Sequence, residues 1–416
     1  MSRINVDAIH SEDGADACIE LADNKNVTFK GNIAVDGTIP ADKLTGALPA
    51  ISGASLTGIA SAGKAKNLIH NGDFQVWQRS TDDTSSPVSG YCGPDRWQKS
   101  WYAGTVTGKK LDLTSSDTLP WNDGFRSAFQ VKCTSTTTNS DRYCQVEQVL
   151  EAQDVAKSGW KYTDSNSKVR IQFYARSSLA GTYWCRFTSV DGTGRSFPYS
   201  YSLSANTWTK VSFAVPGDSN VTVDNNSDAG FRLNISQYLN TGLTDDASVT
   251  SGSWMNWDSD KAAEDYDQDW MGSANATFDI TGVQITVGET AGDFQHRSYG
   301  DELAKCQRYY YAHRGTLPGE TRAGDDLQTW VTFPVVMRAT PSRTQEDGSV
   351  QYYNRLDQGN STSATTYTYS GMLSNREDLW IVRPADGDAW DTQDGRTTYY
   401  LKVENTEISY SWDAEL

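Results

Sequence analysis

From Asn67 onward, apolar and polar residues alternate with period two in run after run, the pattern of strands that bury one face. In Val169 to Ala175, the residues Val169, Ile171, Phe173 and Ala175 share a face while Arg170, Gln172 and Tyr174 take the other. Val211, Phe213 and Val215 repeat the pattern in the run beginning at Trp208. Similar runs predict strands over Phe74 to Arg79, Arg96 to Tyr102, Phe129 to Cys133, Tyr143 to Leu150, Thr182 to Phe187, Arg195 to Leu203, Phe231 to Ile235 and Thr277 to Val287. Short strands at this spacing predict an all-β sandwich over residues 67–300. Asn67 to Arg79 is expected to open it as the first strand, with Asn71-Gly72-Asp73 as a turn, because Asn and Gly accept positive φ. The convincing helical pattern is short, Asp301 to Tyr309, with Leu303, Cys306 and Gln307 along one side.

The flanks differ from this body. Residues 1–66 read as thin strands followed by a Gly-punctuated run with glycines at 37, 46, 53 and 58. Such elements bury too little to stand alone and are expected to associate with copies of themselves around an axis. A flexible Gly/Ala/Ser linker is the alternative. Gly58 to Lys64 matches the spacing of a phosphate-binding loop, but Ala65 stands where Ser or Thr must hold magnesium, so nucleotide binding is not expected. Residues 301–416 read as the short helix and a β-rich unit, with strands at Val331 to Pro341, Val350 to Tyr353, Leu379 to Val382 and Thr397 to Val403. Beyond Pro334 the chain is expected to continue as an edge strand, where a missing N–H costs little.

Composition narrows the function. The 416 residues carry a net charge of -17, which argues against a phosphate-neutralising surface and against nucleic acid as a partner. With 14 Trp and 21 Tyr, large rings are available both for cores and for ligands. No window approaches eighteen consecutive apolar residues, and the first residues have no charged-then-apolar leader, so neither membrane insertion nor classical secretion is expected. The six cysteines and four histidines are dispersed, which favours free buried thiols over a zinc site.

The sharpest candidate site is the loop Ser253 to Trp270. Trp254, Trp257, Trp270 and Tyr266 stand there among Asp258, Asp260, Glu264, Asp265, Asp267 and Asp269, with Asp279 just beyond. Flat rings against sugar C–H faces, with carboxylates accepting hydroxyl hydrogens, would suit a glycan; the competing reading is that the rings pin a long loop onto the sandwich. Trp380 and Trp390 are further candidates, the latter in an acidic turn. There is no Gly-x-Ser-x-Gly, no His-Glu-x-x-His and no long β-helix repeat, so the chain reads as a non-enzyme. A two-carboxylate glycosidase is the alternative that 53 acidic residues leave open.

Asn67 to Trp77, Asp95-Arg96-Trp97, Val169 to Ser177, Trp208, Phe278 to Gly288, Phe294, Arg297 to Leu303 and Cys306 to Tyr310 together resemble bacteriophage tail fibre proteins that carry a jelly roll like that of carbohydrate-binding modules. The Leu-Thr-Gly repeats before residue 60 look like the stalks of such fibres. The resemblance implies a virion tail location, a homotrimer, docking on another tail protein through residues 1–66, and attachment to host cell-surface polysaccharide. The alternatives are a structural spacer or capsid decoration protein, and a polysaccharide depolymerase. No cofactor is required, but the resemblance also implies a position for structural calcium at Asn71, Asp73 and Gln75 facing Asp279. Calcium takes six to eight oxygens, and Gln75 replaces the Glu common in those modules, which removes a charge. Because both this chain and many bacterial polysaccharides are acidic, binding is expected to be supported by divalent cations.

Overall fold

A computed structural model describes residues 66–416 except 86, 290–291, 314–316, 323–325, 346–349, 355–360, 365–366, 385–397 and 404–409; for the strand residues within 317–329, 344–372 and 379–403 it describes backbone alone. Residues 1–65, with the expected stalk and the phosphate-loop spacing, lie outside the described residues.

The body is a jelly-roll sandwich of eleven strands: β1 (Gln98–Tyr102), β2 (Thr105–Asp112), β3 (Ser127–Ser135), β4 (Tyr143–Glu151), β5 (Lys168–Ser177), β6 (Gly181–Ser189), β7 (Arg195–Leu203), β8 (Thr209–Pro216), β9 (Ala229–Leu239), β10 (Met255–Asn256) and β11 (Thr277–Val287). One sheet has the order β1-β4-β9-β6-β7-β10 and the other β2-β3-β11-β5-β8, with neighbours antiparallel throughout. The inner faces meet in one core. Val146, Cys185, Leu233 and Ile235 from the first sheet face Val131, Ile171, Phe173 and Ile280 from the second, all essentially without exposure. Burying each such side chain stabilises by about 1.5–3 kcal/mol, which is what enforces the period-two pattern.

Asn67 to Arg79 is no strand. Asn71 and Phe74 both adopt positive φ (52° and 54°), which interrupts any extended run. The Asn71 side chain takes over backbone pairing: its Oδ1 accepts from Val76 N (2.9 Å) and its Nδ2 donates to Val76 O (2.8 Å) and Asp95 O (3.0 Å). The segment is nevertheless core, with Leu68, Ile69, Phe74 and Val76 buried. It is laced to β11 by Leu68 N to Ile285 O (2.9 Å) and Val283 N to Gly72 O (2.8 Å).

Among the described residues three short α-helices accompany the sandwich: α1 (Thr118–Asn122), α2 (Ala152–Ala156) and α3 (Tyr299–Gln307). Ser298 caps α3 by accepting from Asp301 N, and Glu302, buried on the helix, accepts from Asn71 N (2.5 Å) and pairs with Arg297 (2.9 Å). After α3 come β12 (Tyr310–His313), β13 (Leu317–Arg322), β14 (Asp326–Thr332), β15 (Ser342–Gln345), β16 (Val350–Asn354), β17 (Ser361–Ala364), β18 (Tyr367–Leu373), β19 (Glu377–Pro384), β20 (Thr398–Val403) and β21 (Tyr410–Asp413). They form a three-stranded sheet, β12-β21-β15, and a seven-stranded one, β17-β16-β20-β13-β14-β19-β18. The expected strand through Pro341 stops at Thr332. Past Pro334, which has no N–H to give a ladder, Met337 N bonds Asn375 O (2.8 Å) and Arg338 N bonds Arg308 O (2.7 Å), so the segment is a connection.

Candidate functional site

The outer face of the six-stranded sheet carries a groove of about 550 Å³. Its floor follows from register. Glu147 on β4 lies opposite Asn234 on β9, which lies opposite Arg186 on β6, so the three make one row across the sheet. Arg232, two residues before Asn234, stands in the next row opposite Thr188. Gln145 and Tyr143 extend the face along β4. Because the alternate residues Val146, Cys185, Phe187, Leu233 and Ile235 fill the core, these polar side chains must point outward.

They are polar yet largely buried: Asn234 is 3 %, Glu147 4 %, Thr188 4 % and Arg186 9 % exposed. Walls cover them. The loop after β9 folds back through Ala262 N to Leu243 O (2.9 Å) and Asp245 N to Ala263 O (2.9 Å), and packs Val249, Ala262 and Ala263 over Trp184 and Leu239. Met255 and Asn256 pair with Ser196 and Arg195 on β7, and Trp257 N bonds Gly194 O (2.9 Å). Trp257 is thereby fixed at the rim with 53 % of its surface exposed. At the β1 edge Tyr102, half-exposed, stacks on Tyr143 with ring centroids 6.4 Å apart and 20° between planes.

The floor is charged unevenly. Glu147 Oε2 accepts from Asn234 Nδ2 and lies 3.8 Å from Arg232 Nε. Arg186 donates from Nη2 to Gln145 Oε1 (3.1 Å) and has no carboxylate at ion-pair distance among the described residues. The Nε atoms of Arg186 and Arg232 are buried without a hydrogen-bond partner. Burial, with a smaller push from the like charge of Arg232, holds the Arg186 pKa below its ordinary value, against a pull from Tyr266 and Glu147.

The candidates read from sequence scatter over this geometry. Trp257 is the one that reaches the groove. Trp254 faces inward, its Nε1 donating to Pro216 O (2.8 Å) and its ring edge-on to Phe197 at 5.3 Å. Tyr266 is half-buried against the core and tilted on Tyr238 at 5.4 Å. Trp270 has no exposed surface; it is core, and a ring without exposed surface offers no face to a ligand. The Trp380 side chain and all of Trp390 lie outside what the structure describes. Three of the loop carboxylates tie the loop to itself and to the sandwich: Asp267 accepts from Thr182 N (2.7 Å) and Oγ1 (3.0 Å), Asp269 from Arg142 (2.8 Å) and Gly272 N (2.7 Å), and Asp265 from Thr244 Oγ1. Their main work here is pinning the loop.

The calcium set does not fit the ion. Asn71 Oδ1 is committed to Val76 N, Gln75 turns its donor nitrogen toward Asp73 Oδ2 (3.0 Å), and Asp279 is bonded by Gln130 (2.7 Å) and Arg176 (2.8 Å). A guanidinium already supplies Asp279 with positive charge. No group of three or more His, Cys, Asp or Glu is placed to hold a metal among the described residues.

Several solved structures are similar to this chain. The family 11 carbohydrate-binding module from Clostridium thermocellum, solved with a β-1,3-1,4-mixed-linked tetrasaccharide, shares 13 % identity over 49 % of this chain and 96 % of its own, with a TM-score of 0.25. A putative sugar binding protein from Bacteroides thetaiotaomicron shares 11 % over 54 % of this chain and 100 % of its own, at a TM-score of 0.27. The tandem CBM22-1-CBM22-2 domain of Paenibacillus barcinonensis Xyn10C shares 11 % over 86 % of this chain and 98 % of its own, at a TM-score of 0.26. No protein-family model and no curated protein matches the sequence. The sandwich therefore rests on its own strand order and register.

Proposed function

We propose that this chain is a non-catalytic glycan-binding protein of a bacteriophage tail, a fibre that attaches the particle to host cell-surface polysaccharide. The observation that carries the glycan reading is the groove: an exposed Trp257 ring and the stacked Tyr102–Tyr143 pair flank a floor of amide, hydroxyl and guanidinium groups. Rings for sugar faces beside fixed donors and acceptors for hydroxyls are what a pyranose chain needs. The tail assignment is supported by the motif set running from Asn67 to Tyr310. In this reading residues 1–66 trimerise the fibre and dock it on another tail protein, so that three modest sites act together.

The test is electrophoresis of the full chain through gels containing bacterial polysaccharides, beside the Trp257→Ala variant. Retardation of wild type by at least one polymer, lost in the variant while its thermal unfolding is unchanged, is the expected result. Retardation by none would sink the glycan reading and favour a structural spacer or decoration protein; new reducing ends would favour a depolymerase. Light scattering addresses the trimer: a mass of three times 45.8 kDa, lost for a chain beginning at Asn67, is expected.

A further inference from the structure

We propose that the groove selects acidic glycans, seating the anionic group of a sugar on Arg186 and Arg232 while its ring lies against Trp257. The inference rests on the glycan reading above and adds the class of sugar.

In a chain of net charge -17, two guanidinium groups share one groove floor with a single carboxylate at ion-pair distance from either of them among the described residues. That carboxylate, Glu147, lies beside Arg232 and is also bonded by Asn234. Arg186 is left with a neutral partner, Gln145 Oε1. Its side chain is nine-tenths buried and lines the groove, and its Nε meets no acceptor. Arg186 and Arg232 are diagonal neighbours on adjacent strands, a spacing of about 7–8 Å between Cα atoms that lets two long side chains converge on one ligand.

Burying a cation without a counter-charge is costly unless something repays it. Elsewhere in this fold buried arginines are matched. Arg96 has Glu415, and Arg142 has Asp269 at 2.8 Å. Arg186 departs from that pattern at the groove floor. An anion with two equivalent oxygens supplies the missing partner, because the guanidinium fork matches a carboxylate or a phosphodiester in bidentate geometry. Direct pairing of this kind needs no divalent bridge between an acidic protein and an acidic polymer.

The probes are polygalacturonate and its carboxyl-reduced form, and phosphomannan and its dephosphorylated form, titrated into the full chain by calorimetry. At low salt at least one acidic polymer should bind about tenfold or more tighter than its neutral counterpart, and the excess should shrink as salt rises but persist in chelator. The polygalacturonate and phosphomannan arms separate carboxylate from phosphodiester as the source. Arg186→Gln should bring acidic polymers to the level of their neutral forms while leaving neutral binding intact, and Arg186→Lys should recover part of the excess. Arg232→Gln, at a more exposed position, gives the same readout if Arg186→Gln does not fold. Equal binding of acidic and neutral forms, or a preference abolished by chelator, overturns the inference and leaves the glycan reading standing. Binding of no polymer overturns both.

Discussion

Replacing Glu415 by Gln should destabilise the protein far more than the loss of a surface ion pair ordinarily does. Glu415 lies against the sandwich, its side chain 4 % exposed, with Oε2 in an ion pair to Arg96 Nη1 and Oε1 at 3.4 Å from Arg79. Arg96 is 1 % exposed, lies over the Tyr309 ring at 3.4 Å and donates to Val149 O (2.6 Å). Arg79 keeps a second carboxylate, Asp413 at 3.0 Å, and a ring, Tyr310 at 3.6 Å; Arg96 has no second carboxylate at ion-pair distance among the described residues. Removing one member of a buried pair leaves an uncompensated charge, at a cost of about 3–5 kcal/mol. The amide oxygen of the introduced side chain would still accept a hydrogen bond, which places the expected loss near the lower figure, about 3 kcal/mol, against a total stability of roughly 5–15 kcal/mol. Urea unfolding followed by tryptophan fluorescence would read this as a lower midpoint at unchanged slope. The double change Arg96→Met with Glu415→Leu should recover most of the loss, since replacing both partners removes the unpaired charge. A loss below about 1 kcal/mol in Glu415→Gln, or a double variant worse than the single, would refute the argument from burial.

Three further outcomes follow from particular contacts. Asp95, fully buried, has its pKa pushed up to about 6 mainly by desolvation, against the pull of Arg79 and Gln78. The folded state therefore holds a proton that the unfolded state gives up, and Asp95 makes stability fall as pH rises from about 4 to about 6, by up to about 3 kcal/mol; Asp95→Asn should flatten that slope in urea melts at about pH 4.5, 5.5 and 7, and an unchanged slope would count against it. Gly72→Ala should cost about 1–3 kcal/mol or more, because its Cβ would stand 2.0 Å from Val283 O and Val283 N is bonded to Gly72 O; a wild-type melting temperature would contradict the close approach. Trp270→Ala should cost about 3–5 kcal/mol and Trp257→Ala under about 0.5 kcal/mol, and equal losses in calorimetric melts would reverse the assignment of core and rim.

What the residues disclosed about the fold depended on local pattern. Arg195–Leu203 and Thr277–Val287 are the strands read from alternation, because their inner positions are uniformly apolar. Thr105–Asp112 escaped notice: Gly108 and the pair Lys109-Lys110 break the pattern. At Gly108 the fit is tight, since a Cβ would stand 3.0 Å from the Phe129 ring. Asn67 to Arg79 misled in the opposite direction. Its apolar residues are buried as a strand's would be, but beyond the two bonds of Leu68 and Gly72 to β11 an asparagine side chain takes the place of a partner strand at Val76.

The groove was less legible than the fold, for a reason of geometry. Its floor comes from β4, β6 and β9, separated by tens of residues, so no sequence window contains it. Trp257 and Trp270 occupy one loop with the same acidic surroundings, and only which side of that loop meets the sheet makes one rim and the other core. A signal did exist in the outward positions. Tyr143, Gln145 and Glu147 on β4, Arg186 and Thr188 on β6, and Arg232 and Asn234 on β9 are hydrogen-bonding residues in the interior of a six-stranded sheet whose reverse face is largely apolar, the buried Lys99 and Gln148 on that reverse face being bonded to Asp83 and to the His70 backbone. A covered outer face with no ligand role would favour apolar side chains there, because each buried polar group must find a partner. The other sheet offers the comparison. Where its outer face is covered by α1 and its flanks, Phe125, Ala128, Tyr174 and Trp208 form an apolar cluster, and Arg176 is matched by Asp117 and Asp279. The six-stranded sheet keeps two arginines to one glutamate under its loop, and that imbalance, more than any ring in the loop, marks the face where a ligand completes the structure.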